Sequence, residues 1–209
     1  MKAAAPPRAV YFYQGRLYVS MTNRCPTACG FCAKRKWKWD YRGTDLKVKV
    51  STELTDEEIT SEVFRAAVTE RPPEIIFCGF GEPTYRLTAI GNVCDKIRTL
   101  PKRPRLRLNT VGLGSAIWKR DIVPELASRL DSVSVSLNTA DPTQWLQLHR
   151  PKPAFRDQGF AQVQEFVRAC VRAGLDTTVT AVEFPEVDLA AVRRLAADLG
   201  AKFRPRPTL

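Results

Sequence analysis

The chain has 209 residues, 44% of them hydrophobic and 26% charged, which is the composition of a globular domain large enough to bury a substantial core. It contains no run of about 18 apolar residues, and its first residues do not resemble a secretory signal. We therefore expect no membrane span and a single cytoplasmic domain over residues 1–209. The net charge of +11 excludes a neutral or acidic surface overall and favours acidic partners.

Strand-like and helix-like segments alternate along the chain. Apolar segments bounded by turn residues predict strands over residues 16–22, 74–80, 105–112, 132–138, 176–184 and 201–207. Helical periodicity predicts helices over residues 55–70, 86–99, 117–130, 160–174 and 189–200, the third of them broken at Pro124. This alternation predicts an α/β fold of βαβ units with a parallel sheet. Six repeats suit a partial barrel better than an eight-fold barrel, which typically needs about 250 residues.

Polar and sulfur-containing residues follow several of the predicted strands. The cysteine-rich stretch at residues 25–32 follows the first strand, and the turn at residues 79–82 follows the second. Asn109 lies near the end of the third strand, and Ser136 and Asn138 lie near the end of the fourth. Because ligands of parallel barrels bind at the carboxyl ends of the strands, we expect these residues to share one site.

Cys25, Cys29 and Cys32 form a C-x3-C-x2-C set within eight residues. In the reducing cytoplasm such a cluster indicates metal or redox chemistry rather than disulfides. A structural zinc takes four protein ligands, so three nearby thiolates fit a [4Fe–4S] cluster with one iron open to an exogenous ligand. A zinc site completed by a distant ligand, such as Cys78 or the single histidine His149, is the alternative.

Together these motifs resemble the signature of the radical S-adenosylmethionine (SAM) enzymes. The cysteine spacing, with the aromatic Phe31 before the last cysteine, follows the first strand as it does in that family. The stretch GFGEP at residues 79–83 resembles the G-G-E-P element of the family, with Phe80 inserted between the glycines. The resemblance covers roughly residues 16–207. It implies a partial (β/α)6 barrel of the TIM type, a [4Fe–4S] cluster and SAM as cofactors, and reductive cleavage of SAM to a 5′-deoxyadenosyl radical.

The resemblance also implies roles for individual residues, with Cys25, Cys29 and Cys32 binding three irons. The SAM-contacting residues that it implies are Phe31, Gly79, Phe80, Gly81, Glu82, Asn109, Ser136 and Asn138. The backbone of the glycine turn would approach the methionine moiety, whose ammonium group would be bound by Glu82 or nearby carbonyls, and Phe31 would lie against the adenine. Alternatively, Glu82 pairs with an arginine, Phe31 only packs in the core, and the two asparagines cap helices.

Small chains of this kind resemble three groups of radical SAM proteins. Residues 18–36 and 137–155 look most like the small group of radical SAM proteins that is associated with TatD-type nucleases. This resemblance does not identify a substrate. The alternatives are glycyl-radical activating enzymes and 7-carboxy-7-deazaguanine synthases. In the synthases Thr84 would bind a metal and Arg150 would clamp a carboxylate. Arg150, placed at the start of the fourth helix, is our candidate substrate-binding residue, unless it pairs with Asp141 on the surface.

The basic segment at residues 34–42 interleaves Trp37, Trp39 and Tyr41 with lysine and arginine. Such a surface suits nucleic acid, or an acidic electron donor of the flavodoxin or ferredoxin type, but it is also compatible with a solvated face. A donor is expected because the sequence shows no second redox centre. A nucleic-acid-binding module with a structural iron–sulfur or zinc centre is the alternative from a different functional class.

Overall fold

The computed structural model describes residues 9–36, 38–41, 44–45 and 53–208, which contain nine strands and eight α-helices. The strands are β1 (Val10–Tyr13), β2 (Arg16–Val19), β3 (Asp40–Tyr41), β4 (Thr44–Asp45), β5 (Glu74–Phe77), β6 (Arg105–Thr110), β7 (Ser132–Ser136), β8 (Asp176–Val182) and β9 (Lys202–Arg206). The helices are α1 (Ala33–Lys36), α2 (Asp56–Glu70), α3 (Leu87–Ile97), α4 (Gly114–Trp118), α5 (Val123–Ala127), α6 (Pro142–His149), α7 (Gly159–Arg172) and α8 (Leu189–Asp198). Within these ranges no helix is both long and apolar enough to cross a bilayer.

Seven strands form one sheet in the order β1-β2-β5-β6-β7-β8-β9. From β2 to β9 all neighbouring pairs in this sheet are parallel, and only β1 runs antiparallel, against β2. These six parallel strands, with helices in the connections, confirm the predicted (β/α)6 arrangement. The two edge strands, β1 and β9, are not paired with each other in the described part of the chain, so the barrel is open.

The two faces of the sheet differ in chemistry, as strand β6 illustrates. Leu106 and Leu108 are fully buried in an apolar cluster that also contains residues of the covering helices, such as Val63 of α2. Arg107 and Asn109, which alternate with these leucines, line a cavity on the opposite face. Because successive side chains of a strand point to opposite faces, the core lies outside the barrel wall and polar groups lie inside it.

Three local features differ from the predictions. Strand β1 was not predicted, and it forms a hairpin with β2 through Gln14 and Gly15, whose φ values of 48° and 71° are typical of a tight hairpin turn. Helix α6 was not predicted as a separate helix; Asp141 caps it by accepting a hydrogen bond from the Gln144 N–H at 2.6 Å. The helix predicted over residues 117–130 is interrupted, but at residues 119–122 rather than at Pro124, which lies in the first turn of α5, where its missing N–H costs nothing.

Candidate active site

A cavity of about 710 Å³ lies inside the open barrel, at the carboxyl ends of the parallel strands. It brings together most of the residues that the sequence predicted for the site. Those on its wall are Cys25, Cys29, Phe31, Cys32, Gly79, Phe80, Gly81, Glu82, Asn109 and Ser136. Asn138 and Arg150 are not among the residues that line it.

The cysteine loop is held by the end of helix α6 rather than by the sheet alone. The backbone N–H of Ala28 donates to two carbonyls of residues 149–150 at 3.0 and 3.1 Å, and that of Gly30 donates to the Leu148 carbonyl at 3.1 Å. The N–H of Lys152 donates back to the Pro26 carbonyl at 2.9 Å. Backbone hydrogen bonds to a rigid element therefore fix the loop from both sides.

The three thiols face the same cavity. The Thr27 hydroxyl lies 3.4 Å from the Cys25 sulfur and 3.3 Å from the Cys29 sulfur, and all of the cysteines are free. Burial raises the pKa of the Cys25 thiol and raises that of Cys29 to about 12. Both thiols are therefore protonated until a metal replaces the protons, as the thiolate-binding irons of a cluster do.

The cysteine loop brings three thiols to the cavity, the number that a [4Fe–4S] cluster with one open iron needs. Within the described ranges, no group of three or more His, Cys, Asp or Glu side chains is placed to hold one metal ion. A cluster does not need that convergence, because each thiolate binds a different iron. Cys78, the alternative fourth ligand, also lines the cavity, and burial raises the pKa of its thiol.

His149 packs against the cysteine loop and is among the residues that line the cavity. Its Nδ1 atom is 3.6 Å from the Cys29 sulfur, and its Nε2 atom is 3.2 Å from the Leu137 carbonyl and 3.1 Å from the Asn138 amide nitrogen. The ring is fully buried and stacks on Trp145 at a centroid distance of 4.9 Å. Burial lowers the pKa of His149 to about 4, so the imidazole is neutral near pH 7. Its Nδ1 atom packs against the Cys29 sulfur.

The glycine turn packs directly on the backbone that leads into the cysteines. A Cβ atom on Gly81 would lie 2.3 Å from the Thr22 carbonyl oxygen and 2.6 Å from the Arg24 carbonyl oxygen. The Glu82 N–H donates to that same Arg24 carbonyl at 2.8 Å. Gly79 has a φ of +151°, a backbone conformation that favours glycine. The glycine turn and the start of the cysteine loop are therefore one packed unit.

Phe80, which interrupts the glycine pair, anchors part of the basic segment. Its side chain is buried and meets the Trp39 ring edge-on at 5.6 Å, while the Lys34 ammonium lies 5.5 Å from the centre of the same ring. Trp37 lies outside the described residues, as does the side chain of Tyr41. The Trp39 ring therefore packs against Phe80, which lines the cavity. Base stacking by the basic segment stays a prediction.

Glu82 is buried, with 2% of its surface exposed, and its carboxylate accepts four hydrogen bonds from neutral donors. The donors are the Thr84 N–H and hydroxyl at 3.2 and 2.8 Å, the Thr110 hydroxyl at 2.7 Å and the Val111 N–H at 2.8 Å. Burial raises the pKa of Glu82, and these bonds oppose the rise. None of the ion pairs in the described part of the chain involves Glu82, so the alternative pairing with an arginine is not found.

The two asparagines occupy different positions. The Oδ1 atom of Asn109 is buried without a hydrogen-bond partner among the described residues, on a residue that lines the cavity. Asn138 is fully buried behind the wall, where its Oδ1 accepts from the Val182 N–H at 3.1 Å and from Arg206 at 3.3 Å. The structure therefore favours Asn109 as a ligand contact, whereas Asn138 does not line the cavity and its side chain has partners within the protein.

The side chains of Arg150 and Thr84 both contact other parts of the protein. Arg150 does not begin a helix; it follows the last residue of α6 in a left-handed conformation with a φ of 47°, and its side chain lies beside Gly30. Arg150 is exposed and does not line the cavity, so this geometry does not favour its predicted contact with substrate. Thr84 is fully buried and donates its hydroxyl hydrogen to Glu82, which leaves it poorly placed to bind a metal.

Three site residues were missed by the sequence analysis: Arg107 on β6 and Arg204 and Arg206 on β9 all line the cavity. Strands were predicted over both segments, residues 105–112 and 201–207, but no role was predicted for their arginines. The period-two spacing of the arginines within predicted strands was the available signal, because it places them on one face of the sheet.

Comparison with known proteins agrees with this fold and site. Residues 19–199 match the Radical SAM superfamily. A "Probable dual-specificity RNA methyltransferase RlmN" of Parasynechococcus marenigrum (strain WH8102) is 30% identical over 152 residues, which are 68% of this chain and 38% of that protein. The chain thus spans less than two fifths of the length of such curated relatives.

Two solved structures illustrate the shared fold. A radical SAM methyltransferase from Sphaerobacter thermophilus superimposes with a TM-score of 0.63 at 20% identity, covering 95% of this chain and 57% of that one. Streptococcus suis SuiB bound to its precursor peptide SuiA gives a TM-score of 0.64 at 17% identity, covering 90% of this chain and 38% of that one. The partial barrel is of the radical SAM type, and the [4Fe–4S] cluster and SAM, which members of this family bind, are confirmed as the cofactors. The chain belongs to the Radical SAM superfamily.

Proposed function

We propose that the chain is an enzyme whose Cys25, Cys29 and Cys32 hold a [4Fe–4S] cluster next to a SAM site in the same cavity. The observation that carries this proposal is the packing of the glycine turn onto the backbone that precedes Cys25. The bound cluster and SAM supply reductive cleavage of SAM to methionine and a 5′-deoxyadenosyl radical, which abstracts a hydrogen atom from the substrate.

The chain's own residues position SAM. Gly79 and Gly81 carry no Cβ, so their turn packs tightly on residues 20–24, and the turn lines the cavity that would hold the methionine moiety. The carboxylate of Glu82 already accepts four hydrogen bonds, so it attracts the SAM ammonium group by charge, and nearby carbonyls accept its hydrogen bonds. Asn109 offers an unpartnered acceptor and Ser136 a hydroxyl on the same wall.

The adenine would lie against Phe31. This ring lines the cavity between the edge of His149, at a centroid distance of 5.6 Å, and Phe184, at 6.0 Å. These neighbours fix the orientation of the Phe31 ring, which therefore presents a preformed apolar surface to a purine.

The reaction needs a one-electron reductant, which we propose to be a flavodoxin or ferredoxin. The net charge of +11 suits such an acidic partner, and the basic segment at residues 34–42 adjoins the cavity rim through the contact of Trp39 with Phe80. Free cysteines are consistent with a reducing compartment, so we propose that the protein acts in the cytoplasm.

Among radical SAM groups, we propose a relationship to the TatD-associated proteins. Of the two segments that carry this likeness, residues 18–36 include the cysteine loop and residues 137–155 include α6, which holds that loop. The surroundings of Thr84 and Arg150 disfavour a 7-carboxy-7-deazaguanine synthase, whose metal and carboxylate contacts they were expected to supply. A glycyl-radical activating enzyme would need a protein partner carrying the glycine.

RNA methylation is a second candidate function, favoured by the similarity of this chain to proteins described as probable RNA methyltransferases. Its test is the transfer of a labelled methyl group from SAM to RNA by the reduced enzyme. Methylated RNA would support this candidate. Cleavage of SAM to 5′-deoxyadenosine without labelling of RNA would count against RNA methylation and would support hydrogen abstraction from another substrate.

The proposal is tested by reconstituting the chain anaerobically with iron and sulfide and measuring bound iron. The cluster is then reduced in the presence of SAM, and 5′-deoxyadenosine is measured. We expect wild type to bind about four irons and to form 5′-deoxyadenosine, and Cys29→Ala to lose both. Cys170→Ala is the matched control, because Cys170 is buried in α7 away from the cavity wall. Full iron content in Cys29→Ala, or its loss in Cys170→Ala, would contradict the assignment of the cluster ligands.

A further inference from the structure

Strands β6 and β9 place three guanidinium groups on the inner wall of the barrel. Arg204 and Arg206 are two residues apart on β9, so they face the same side, and Arg107 on β6 faces the same cavity. The cavity therefore has a strongly basic wall formed by side chains from distant parts of the chain.

These arginines are only partly neutralised by the protein. Arg107 pairs with Glu74 at 3.2 Å, but Arg16 pairs with the same carboxylate oxygen at the same distance. Arg206 donates to the neutral Asn138 amide oxygen at 3.3 Å. The guanidinium of Arg204, which lies on the cavity wall, makes no hydrogen bond or ion pair with any described residue. The Nε atoms of Arg107 and Arg206 are buried and lack partners within the described ranges.

The neighbouring layer of the same sheet face shows what a neutralised arrangement looks like. There Asp176 pairs with both Arg105 and Lys202, the latter at 2.7 Å. The cavity wall has no equivalent free carboxylate in the described part of the chain, because Glu82, its one acidic residue, already accepts four hydrogen bonds. Burial lowers the pKa of Arg204 and Arg206, and a neighbouring arginine lowers each further: Arg107 for Arg204, and Arg204 for Arg206.

We propose that Arg107, Arg204 and Arg206 bind an oxyanion of the substrate, a phosphate group in preference to a carboxylate. A planar guanidinium donates two parallel hydrogen bonds to such a group, and several guanidiniums match the higher charge of a phosphate. This inference rests on the proposed function, because it takes the bound anion to be part of the substrate of that enzyme.

The position of the arginines suits a substrate anchor. Asn138 joins Arg206 to His149, and the His149 ring lies 3.6 Å from the cluster ligand Cys29. An anion held by Arg206 is therefore on the same side of the barrel as the cysteine loop, inside the cavity that would contain SAM. A molecule anchored there by its phosphate would present its remaining part to the middle of the cavity.

The test is calorimetric titration of the reconstituted full chain, at low ionic strength, with inorganic phosphate, pyrophosphate, a nucleoside monophosphate and acetate. We expect the phosphate-containing ligands to bind more tightly than acetate. Arg204→Gln should weaken phosphate binding about tenfold, the loss expected for one charged hydrogen-bonding partner. Arg204→Lys should retain part of the affinity, because it keeps the charge but not the paired hydrogen bonds.

Arg194→Gln, on the exposed surface of α8, is the matched control that removes one positive charge elsewhere. Equal weakening by Arg194→Gln would indicate a general charge effect and would overturn the proposal, as would unchanged binding in Arg204→Gln or preference for acetate. Thermal unfolding of each variant separates lost binding from lost folding. Tighter binding of the monophosphate than of free phosphate would identify a nucleotide-like substrate rather than the inorganic ion.

The same preparations distinguish this inference from the proposed function. After reduction, SAM should alter the electron paramagnetic resonance signal of Arg204→Gln as it does that of wild type. If only the variant fails to respond, the arginines bind the carboxylate of SAM and the inference is wrong. If the wild-type cluster ignores SAM, the proposed function fails, while the phosphate titration still decides whether the anion site exists.

Discussion

The two walls of the cavity are built differently. The wall that carries the cysteines and the glycine turn is made of loops whose backbone groups are paired with each other, and Glu82 in it accepts four hydrogen bonds. The wall formed by β6 and β9 is made of strand side chains, among which Arg204 has no partner and Arg107 and Arg206 keep buried, unpaired Nε atoms. The backbone groups of the first wall are paired within the protein, whereas the arginine side chains of the second leave hydrogen-bonding capacity for a ligand.

This contrast separates two kinds of requirement. Loops that hold a cofactor must keep one geometry, and internal hydrogen bonds and close packing supply that rigidity. A substrate site leaves polar groups unpaired until the ligand arrives, at a cost in stability. Substitutions in the first wall should therefore affect folding and cluster binding, while those in the second should affect ligand binding with little loss of stability.

The largest expected effect is that of Gly81→Ala. Its new Cβ would collide with backbone atoms of residues 22–24, which cannot move without displacing the cysteine loop. We expect a loss of about 2 kcal/mol in the free energy of unfolding and a severalfold loss of bound iron after reconstitution. Urea unfolding and iron analysis measure the two.

Gly30→Ala is the matched control for Gly81→Ala, because it lies within the cysteine loop but its Cβ would meet only the Arg150 side chain, at 3.8 Å. We expect near wild-type stability and iron content. If both glycine variants bound iron equally well, close backbone packing would not be what positions the cysteines.

Substitutions of the two asparagines are expected to have effects of intermediate size, and they compare a residue behind the cavity wall with one on it. Asn138→Ala removes the acceptor of the Val182 N–H and the partner of His149, and it places alanine at a φ of 67°. We expect a loss of about 2 kcal/mol in the free energy of unfolding. Asn109→Ala should leave stability nearly unchanged and weaken SAM binding. Chemical denaturation and SAM titration distinguish them, and the reverse pattern would mean that the placement of the two side chains is wrong.

The smallest expected effect concerns the pH dependence of stability. Because the pKa of buried Glu82 is raised from its usual 4.5, its contribution to stability is fully present below pH 4.5 and is lost as the pH rises through the raised pKa. Glu82→Gln should therefore lose less stability than wild type as the pH rises above 4.5, by at most about 1.4 kcal/mol per pH unit. Urea unfolding of the iron-free chain at several pH values measures this, with the exposed Glu70→Gln as control; parallel curves for wild type and Glu82→Gln would contradict it.

Much of the fold was predictable, because each predicted strand and helix carried its own periodicity. All six predicted strands occur, although β2 ends at Val19 and β5 at Phe77, three residues before the predicted ends. Those extra residues belong to the loops that enter the site, and their apolar character reflects burial rather than strand pairing. Helix α6 escaped prediction because it is only eight residues long and its Asp-Pro start is also typical of a turn.

The site was predictable only where its residues are contiguous in sequence. The cysteine loop and the glycine turn carry complete motifs, whereas the direction of the Asn138 side chain depends on His149, Val182 and Arg206. The basic wall combines Arg107 with residues almost one hundred positions later, and whether an arginine has a counter-charge is a property of the folded sheet. Period-two spacing indicates the face of each arginine but not its partners.

The most direct test of the central claim is the electron paramagnetic resonance spectrum of the reduced, reconstituted wild-type chain, before and after SAM is added. Binding of SAM at the open iron changes the surroundings of the cluster, so we predict a shifted signal together with formation of 5′-deoxyadenosine. A cluster with an unchanged spectrum and no 5′-deoxyadenosine would contradict the account, and would leave Cys25, Cys29 and Cys32 as the ligands of a structural or electron-transfer centre.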